Sequence, residues 1–193
     1  MRPFDPVRRE KILQAIFIIA GKHGLTGINI NAISKEAGIS IGSFYTYFTS
    51  KEEVIQAAYS SVEHKITSII YKGFDASLPM EKSLKQIFLN TLEYRLRHYN
   101  ETVFIDQYIQ SKYVQLNFAK QVKQFEEQNK TLYDLIKKGQ DEGIIAPIDV
   151  FTLISFINGS IRSLLNGIIQ KLMPSKKEHI DTCFLMVWKA ITI

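Results

Sequence analysis

The sequence predicts an all-α protein. Apolar residues recur at spacings of three and four along nearly the whole chain, a pattern that amphipathic helices produce. No alternating apolar and polar run bounded by turn residues indicates a strand. At 193 residues, with 46% apolar and 22% charged residues, the chain has ordinary globular composition and enough length to bury a core.

Three short helices are predicted in the first fifty residues. Asp5 is a typical N-cap residue and Pro6 a typical first helical residue, so helix one begins there, and Gly24 predicts its end. Its buried stripe is formed by Leu13, Ile16, Phe17 and Ala20. Asn29 is expected to cap helix two, which Gly38 ends in the left-handed conformation that glycine adopts without strain.

Ser40 predicts the start of helix three, with Phe44 and Phe48 buried one turn apart. The S-x-x-E motif that begins at Ser50 is a capping box, and it starts a long connecting helix over residues 51–72. Further helices are expected over residues 80–100, 101–111, 115–142, 148–172 and 176–191.

A second S-x-x-E motif, from Ser175 to Glu178, is expected to cap the last helix. The sequence therefore predicts about nine helices in two domains. Residues 1–50 form a small N-terminal bundle, and residues 51–193 form a larger helical domain that the connecting helix joins to it.

Helix two, the turn at Gly38 and helix three have the size and order of a helix-turn-helix motif, whose second helix lies in the major groove of DNA. With the two phenylalanines inward, the helical wheel directs Ser43, Thr46 and Tyr47 outward. Tyr45 lies at the side. Hydroxyl groups there could bond phosphates or base edges. The same shape also occurs in helical proteins that never contact DNA, where both tyrosines would pack against neighbouring helices.

The charge distribution favours a polyanionic partner without proving one. The net charge is +5. Residues 1–50 carry six Lys and Arg against three Asp and Glu, a net charge of +3, so more than half of the excess lies in the first quarter of the chain.

Catalytic and metal-binding motifs are missing from the sequence. The four histidines, at positions 23, 64, 98 and 179, have no metal-binding spacing, and no P-loop or dinucleotide signature is present. Cys183 cannot form an internal disulfide and is expected to be a small buried thiol. The apolar run Ile12–Ala20 is interrupted by Gln14 and is far shorter than the roughly 20 residues of a membrane span. We expect a cytoplasmic protein that is not an enzyme, without cofactor, metal or membrane partner.

A fixed pattern of residues runs through positions 8–54. It consists of Gly24-Leu25, Asn29, Ile33-Ser34, Ala37-Gly38-Ile39-Ser40, Gly42, Phe44-Tyr45, Tyr47-Phe48, Ser50-Lys51-Glu52 and Val54. This pattern resembles the N-terminal domain of the TetR family of bacterial transcriptional regulators. The rest of the chain agrees with that family only in length and helical layout.

The resemblance implies a dimeric regulator, most simply a repressor, that binds a palindromic operator in double-stranded DNA. It implies DNA contacts for Asn29, Asn31, Ser40, Ile41, Gly42, Ser43, Tyr45, Thr46, Tyr47 and Lys51. Two positions depart from the family pattern, since Ile41 stands where a polar residue is common and Asn29 where threonine is usual. An isoleucine offers only apolar contact, such as with a thymine methyl group.

The helix over residues 148–172 is apolar on nearly every side, so it is expected to be buried all round, either as a central core helix or against a second copy. The resemblance implies that this helix and the one over 176–191 form the dimer interface. The residues expected there are Gly159, Ser163, Gly167, Phe184, Val187 and Trp188.

The resemblance also implies a pocket for an unknown small effector, apolar or amphipathic, between the helices of the larger domain. The candidate lining residues are Phe88, Tyr94, Phe104, Tyr108, Phe125, Tyr133, Asn158 and Arg162. Asn158, Arg162 and Asn166 form a polar stripe at i, i+4 and i+8. Their partners could lie across the dimer, inside the chain, for example Glu93 or Asp106, or on the effector.

One alternative belongs to a different class. A helical lipid-binding or partner-binding protein without DNA binding would use the basic N-terminal bundle on a membrane surface or a partner. Helix one carries few cations for a membrane-surface helix, which weakens that alternative.

Overall fold

The computed structural model describes residues 5–114, 126–127 and 129–193. Within these ranges the chain forms nine α-helices and no strand, which confirms the all-α class. The helices are α1 Pro6–His23, α2 Ile30–Ala37, α3 Ile41–Phe44, α4 Lys51–Ile70, α5 Met80–Arg97, α6 Tyr99–Ile109, α7 Lys130–Asp141, α8 Val150–Ile169 and α9 Lys177–Ile191.

Side-chain caps set the starts of the first three helices. Asp5, Asn29 and Ser40 each accept a hydrogen bond from a backbone N–H of the following turn, over 2.9 to 3.1 Å. Gly24 ends α1 and Gly38 ends α2, with φ of +70° and +66°. The sequence predicted all five positions, because capping depends on a few neighbouring residues.

The capping box at α4 forms with one change. Ser50 Oγ accepts a hydrogen bond from the Glu53 N–H at 3.1 Å, as predicted. The Glu53 carboxylate, however, accepts from the N–H and the hydroxyl of Thr49, both at 2.6 Å. The returning bond of the box is therefore made one residue earlier than the usual pattern.

The second predicted capping box is wrong. Helix α9 begins at Lys177, with Lys176 in the N-cap position and no side-chain hydrogen bond at that cap. Ser175 thus lies one residue too early in the chain for its hydroxyl to reach the first-turn N–H groups.

Several predicted boundaries also shift. Helix α3 is only four residues long, and turns follow it. The break after α5 falls at His98, two residues earlier than expected. Of the helix expected over residues 115–142, the structure describes Lys130–Asp141, and most of the preceding residues lie outside the described ranges.

The chain divides into two compact units. The first consists of Met1–Lys65 and Arg97–Asn117, and the second of Ile66–Leu96 and Phe118–Ile193. The N-terminal domain expected over residues 1–50 lies wholly in the first unit, which also contains α6 and most of α4.

The core of the first unit joins α1 to α6. Ile12, Leu13 and Ile16 of α1 are fully buried, and Phe104 of α6 is fully buried beside them. The rings of Phe17 and Phe104 meet edge to face, with centroids 5.3 Å apart. Aromatic pairs in this geometry add to the stability that area burial supplies.

The second unit packs α5, α7, α8 and α9 around one apolar cluster. Phe88 of α5 and Phe184 of α9 pack edge to face, with centroids 5.5 Å apart. The end of the chain is tied to the loop after α7, since the Ala146 N–H donates to the Ile191 carbonyl at 2.8 Å.

Within the single chain, helix α8 is buried on one side only, and burial of the other side against a second copy stays a prediction. Phe151 and Phe156 are 57% and 47% exposed within one chain. Gly159 and Ser163 are also exposed and lie on the same face as Phe156, at i, i+3 and i+7.

Candidate nucleic-acid interface

The turn between α2 and α3 has the geometry of a helix-turn-helix. Gly38 is left-handed, with φ +66° and ψ +37°, and Ile39 N–H donates to Ser34 O at 2.9 Å. A Cβ at Gly38 would meet no heavy atom within 4 Å. Glycine is therefore required here for its backbone conformation and not for space.

Two buried rings anchor α3 to the first unit. Phe44 and Phe48 are 0% and 3% exposed, with ring centroids 6.0 Å apart. The Arg9 guanidinium of α1 lies 5.4 Å from the Phe48 ring centroid. The prediction that these two phenylalanines point inward is confirmed, and their burial directs the intervening residues outward.

The outward residues differ in one respect from the helical-wheel expectation. Thr46 is exposed, as expected. Tyr45 is 53% exposed, whereas Tyr47 is partly buried and less exposed than Tyr45. The α-helix ends at Phe44, so the 3.6-residue wheel does not extend to the tyrosines. Tyr45 instead takes the outward position that was expected for Tyr47.

The remaining predicted DNA contacts lie on the same unit. Asn31, Ser40, Ile41 and Gly42 are exposed, and Ser43 is half-exposed. Asn29 is exposed, yet its side chain accepts from the Ala32 N–H and donates to the Gly27 carbonyl. Asn29 is therefore occupied in positioning α2.

Lys51 is the first residue of α4 and is half-exposed. The N-terminus of a helix attracts anions through its N–H groups and dipole.

The nearby Thr49 hydroxyl and backbone N–H hold the pKa of the Glu53 carboxyl below its ordinary value. Glu53 is thus ionised at neutral pH, and its carboxylate accepts both of these hydrogen bonds from Thr49.

Helix α6 contacts the turn before α2 and the helix α4 through residue pairs that the sequence did not reveal. Gln107 Oε1 accepts from the Leu25 N–H at 2.7 Å. The Tyr108 hydroxyl donates to Gln56 Oε1 at 2.8 Å, and its ring stacks on Tyr59 with centroids 4.0 Å apart. Glutamines and tyrosines are common on helix surfaces, so nothing in the sequence marks these pairs.

The predicted effector residues fall in different units. Phe104 and Tyr108 belong to the core of the first unit. The second unit contains Phe88, Tyr94, Tyr133, Asn158 and Arg162, while Phe125 lies outside the described residues. Phe88 and Tyr94 are 0% and 2% exposed, and Asn158 and Arg162 are half-exposed.

The sequence did not indicate that the hydroxyl of Tyr71, in the second unit, is buried. The Tyr71 hydroxyl oxygen is enclosed and makes no hydrogen bond within the described part of the chain. Burial raises the pKa of this phenol, and the nearby backbone of Leu132 only partly opposes the shift. The ring packs on the apolar cluster of the second unit.

The predicted interface residues divide between surface and core. Gly159 and Ser163 are exposed, whereas Phe184 and Val187 are each 2% exposed and offer no surface to a partner. The prediction is corrected at these two positions, because both side chains complete the chain's own core. Trp188 is half-buried against the same core.

Gly167 also has an internal role. A Cβ there would lie 2.9 Å from Met173 Sδ, so the glycine makes room for a side chain of its own unit. The exposed apolar residues of α9 are instead Leu185, at 44%, and Met186, at 68%.

In the part of the chain that the structure describes, no group of three or more His, Cys, Asp or Glu side chains is placed to hold a metal ion. No helix in these ranges combines the length and apolar character needed to cross a bilayer.

Comparisons with known proteins match this architecture. Residues 12–58 match the family of bacterial regulatory proteins, tetR family, and residues 59–193 match the tetracyclin repressor-like C-terminal domain. The HTH-type transcriptional regulator PksA of Bacillus subtilis is 33% identical over 79 residues, which are 40% of this chain and 38% of PksA. The HTH-type transcriptional repressor KstR2 of Mycobacterium tuberculosis is 24% identical over 151 residues, 78% of this chain and 76% of KstR2.

Solved structures share the fold. A TetR family transcription regulator from Marinobacter aquaeolei VT8 has a TM-score of 0.87 at 20% identity, over 96% of this chain and 95% of that one. The ketosteroid transcriptional regulator KstR2 of M. tuberculosis has a TM-score of 0.69 at 22% identity, over 98% and 97% of the two chains.

The helix-turn-helix unit and the larger helical unit, taken together with these matches, identify a DNA-binding transcriptional regulator. The two family matches together cover residues 12–193, and the chain belongs to the TetR family of bacterial regulatory proteins. That family consists of regulators and not of enzymes.

Proposed function

We propose that the protein is a cytoplasmic, homodimeric repressor that binds a palindromic operator and leaves it when a small effector binds. The observation that supports this most strongly is the surface of α3. Two buried phenylalanines hold the helix, while Ile41, Tyr45 and Thr46 face outward with polar and small neighbours. A side-chain set of this kind fits the major groove, where hydroxyl and apolar contacts discriminate bases.

The DNA contacts divide into two kinds. Ser40, Ile41, Gly42, Ser43, Tyr45 and Thr46 would face base edges and neighbouring sugars. Asn31, Tyr47 and Lys51 would contact the phosphate backbone on either side, and Asn29 would position α2. Lys51 suits this role because a cation at a helix N-terminus adds to the attraction that the N–H groups exert on a phosphate.

The dimer is proposed to form through side chains of α8 and α9 that are exposed in the single chain. We define the α8–α9 face as Phe156, Gly159, Ser163, Leu185 and Met186, all exposed in the single chain. A Cβ at Gly159 would meet nothing within 4 Å, so a partner helix could approach closely there. A four-residue recognition helix makes few contacts, and pairing two half-sites through a dimer compensates for that.

The effector is proposed to bind in the second unit. Its interior is apolar and encloses the Tyr71 hydroxyl. Arg162 of α8 is half-exposed and directly follows the core residue Ile161. An apolar molecule with one or two polar groups suits such surroundings. The related KstR2 is named a ketosteroid regulator, and FadR of Bacillus halodurans, which shares the fold, is named a fatty acid degradation regulator. These names support steroids and fatty acids as the first compounds to test.

Selection from random DNA duplexes tests the proposal directly. The purified protein is incubated with the mixture, and the retained duplexes are sequenced; we expect an inverted repeat. The control is the double variant Ser43→Asp, Thr46→Asp, which places carboxylates toward the phosphates without altering the buried phenylalanines. It should melt like the wild type and enrich no sequence. Absence of an inverted repeat with the wild type would contradict the proposal.

Effector binding has its own test. A compound that binds only the folded protein raises the melting temperature. We expect a steroid or a long-chain fatty acid to do so and also to release the selected operator. A compound that raises the melting temperature but leaves the operator bound would not be the effector.

A further inference from the structure

Ile41 is a large apolar side chain at the first position of α3, the helix proposed to enter DNA. It is 47% exposed. The residue before it is Ser40 and the residue after it is Gly42, so no bulky neighbour covers it along the chain. A Cβ at Gly42 would meet no heavy atom within 4 Å, which shows how open this edge of the helix is.

Tyr45 is a second exposed side chain, four residues further along the chain. Its N–H donates to the Ile41 carbonyl at 3.3 Å, which places Tyr45 at the C-cap of α3. The Tyr45 ring packs edge to face on the buried Phe44, with centroids 5.6 Å apart at 85°. The ring is thereby oriented while 53% of the residue stays exposed. Ile41 and Tyr45 form what we call the apolar edge of α3.

Exposure alone does not make an apolar residue functional, because single exposed apolar side chains are common on protein surfaces. Ile109 on α6 is exposed to 52% and lies outside the proposed recognition helix. What distinguishes Ile41 is its place at the start of the recognition helix, whose N-terminal residues approach the base edges.

The chemistry of the major groove then limits what Ile41 can face. Guanine, adenine and cytosine present donors or acceptors there, and thymine adds a 5-methyl group. Isoleucine can neither donate nor accept a hydrogen bond, so it would leave the polar edge of another base without water or partner, at a cost in free energy. We propose that Ile41 selects thymine at one position of each half-site by packing against that methyl group. This inference rests on the proposed function, since it assigns a base to one residue of the proposed surface.

Deoxyuracil provides the test, because it pairs as thymine does and lacks only the methyl group. Each thymine of the selected operator is replaced in turn, and binding is measured by fluorescence anisotropy at one fixed salt concentration. Loss of one buried methyl contact should weaken binding about fourfold for one half-site and about 15-fold for both. Ile41→Ala should bind the two operators equally. Ile109→Ala, the same change at a similarly exposed position, should retain the fourfold difference.

Each other outcome overturns the inference in a distinguishable way. If the wild type binds its operator specifically but tolerates deoxyuracil everywhere, the thymine assignment fails and the proposed function stands. If the deoxyuracil effect persists in Ile41→Ala, another residue contacts the methyl group. If no operator is selected at all, this inference and the proposed function fail together. The melting temperature of Ile41→Ala should match the wild type, since the side chain is exposed.

Discussion

The side-chain oxygen of Gln107 accepts a hydrogen bond from the backbone N–H of Leu25 at 2.7 Å, although 82 positions separate them. Leu25 begins the short 3₁₀ turn that leads from α1 into α2. Gly24, just before it, has a positive φ of +70°, and a Cβ there would approach the same oxygen to 3.3 Å. A residue of α6 thus holds the turn that sets the entry to the helix-turn-helix.

Gln107→Ala should therefore lower stability and weaken operator binding together. The change leaves a part-buried N–H without its partner, which costs about 1 to 2 kcal/mol. Urea unfolding and operator titration provide the two measurements. Gln107→Glu keeps the accepting oxygen and should lose less of either. Equal losses in both variants would show that the hydrogen bond is not the cause.

Lys51→Ala should weaken binding to every DNA sequence by a similar factor. One lost phosphate contact makes the slope of log affinity against log salt shallower by about one unit. The matched control is Lys82→Ala, at an exposed position of α5, which should leave the slope unchanged. A wild-type slope in Lys51→Ala would remove this lysine from the set of phosphate contacts.

Met186→Glu should dissociate the dimer. Met186 is 68% exposed in the single chain, so the variant should still fold, but an unpaired carboxylate in an interface costs about 3 to 5 kcal/mol. Sedimentation velocity should show a monomer. Leu78→Glu, at a loop residue that is 45% exposed, is the control and should remain dimeric. A dimeric Met186→Glu would place the interface elsewhere.

Tyr71→Phe should stabilise the protein by about 1 kcal/mol, because it removes an enclosed hydroxyl that lies near the Leu132 backbone but makes no hydrogen bond of good geometry within the described residues. Thermal and urea unfolding both report this change. Tyr99→Phe, at a 45% exposed residue, should be neutral. A loss of stability in Tyr71→Phe would mean that the hydroxyl has a partner in the folded protein.

Glu53→Gln should show a stability defect that depends on pH. The bonds from Thr49 lower the pKa of the Glu53 carboxyl in the folded state, so its contribution is present above the unfolded-state pKa. The contribution is lost as the pH falls through the folded-state pKa. The difference between wild type and variant, measured by urea unfolding, should shrink on acidification. Glu52→Gln controls for the loss of a first-turn charge, and an equal pH dependence there would contradict the assignment.

Local chemistry made much of the first unit predictable from sequence. Caps at Asp5, Asn29 and Ser40 depend on hydrogen bonds between residues two to three apart, and a left-handed Gly38 depends only on its own backbone. The burial of Phe44 and Phe48 followed from helical periodicity in the same way. Each of these features is decided within a few residues, and each is present in the structure.

Features that depend on distant residues were decided only by tertiary packing. The sequence of α9 is apolar on several sides, so it could not show that Phe184 and Val187 face the chain's own core while Leu185 and Met186 face outward. Nor could periodicity show that Phe104 packs on Phe17, since that pairing joins helices 87 positions apart in the chain. The sequence by itself determined the helices, the caps of the first four and the family. Which side of each helix is covered, and by what, was determined by the packing of one helix on another.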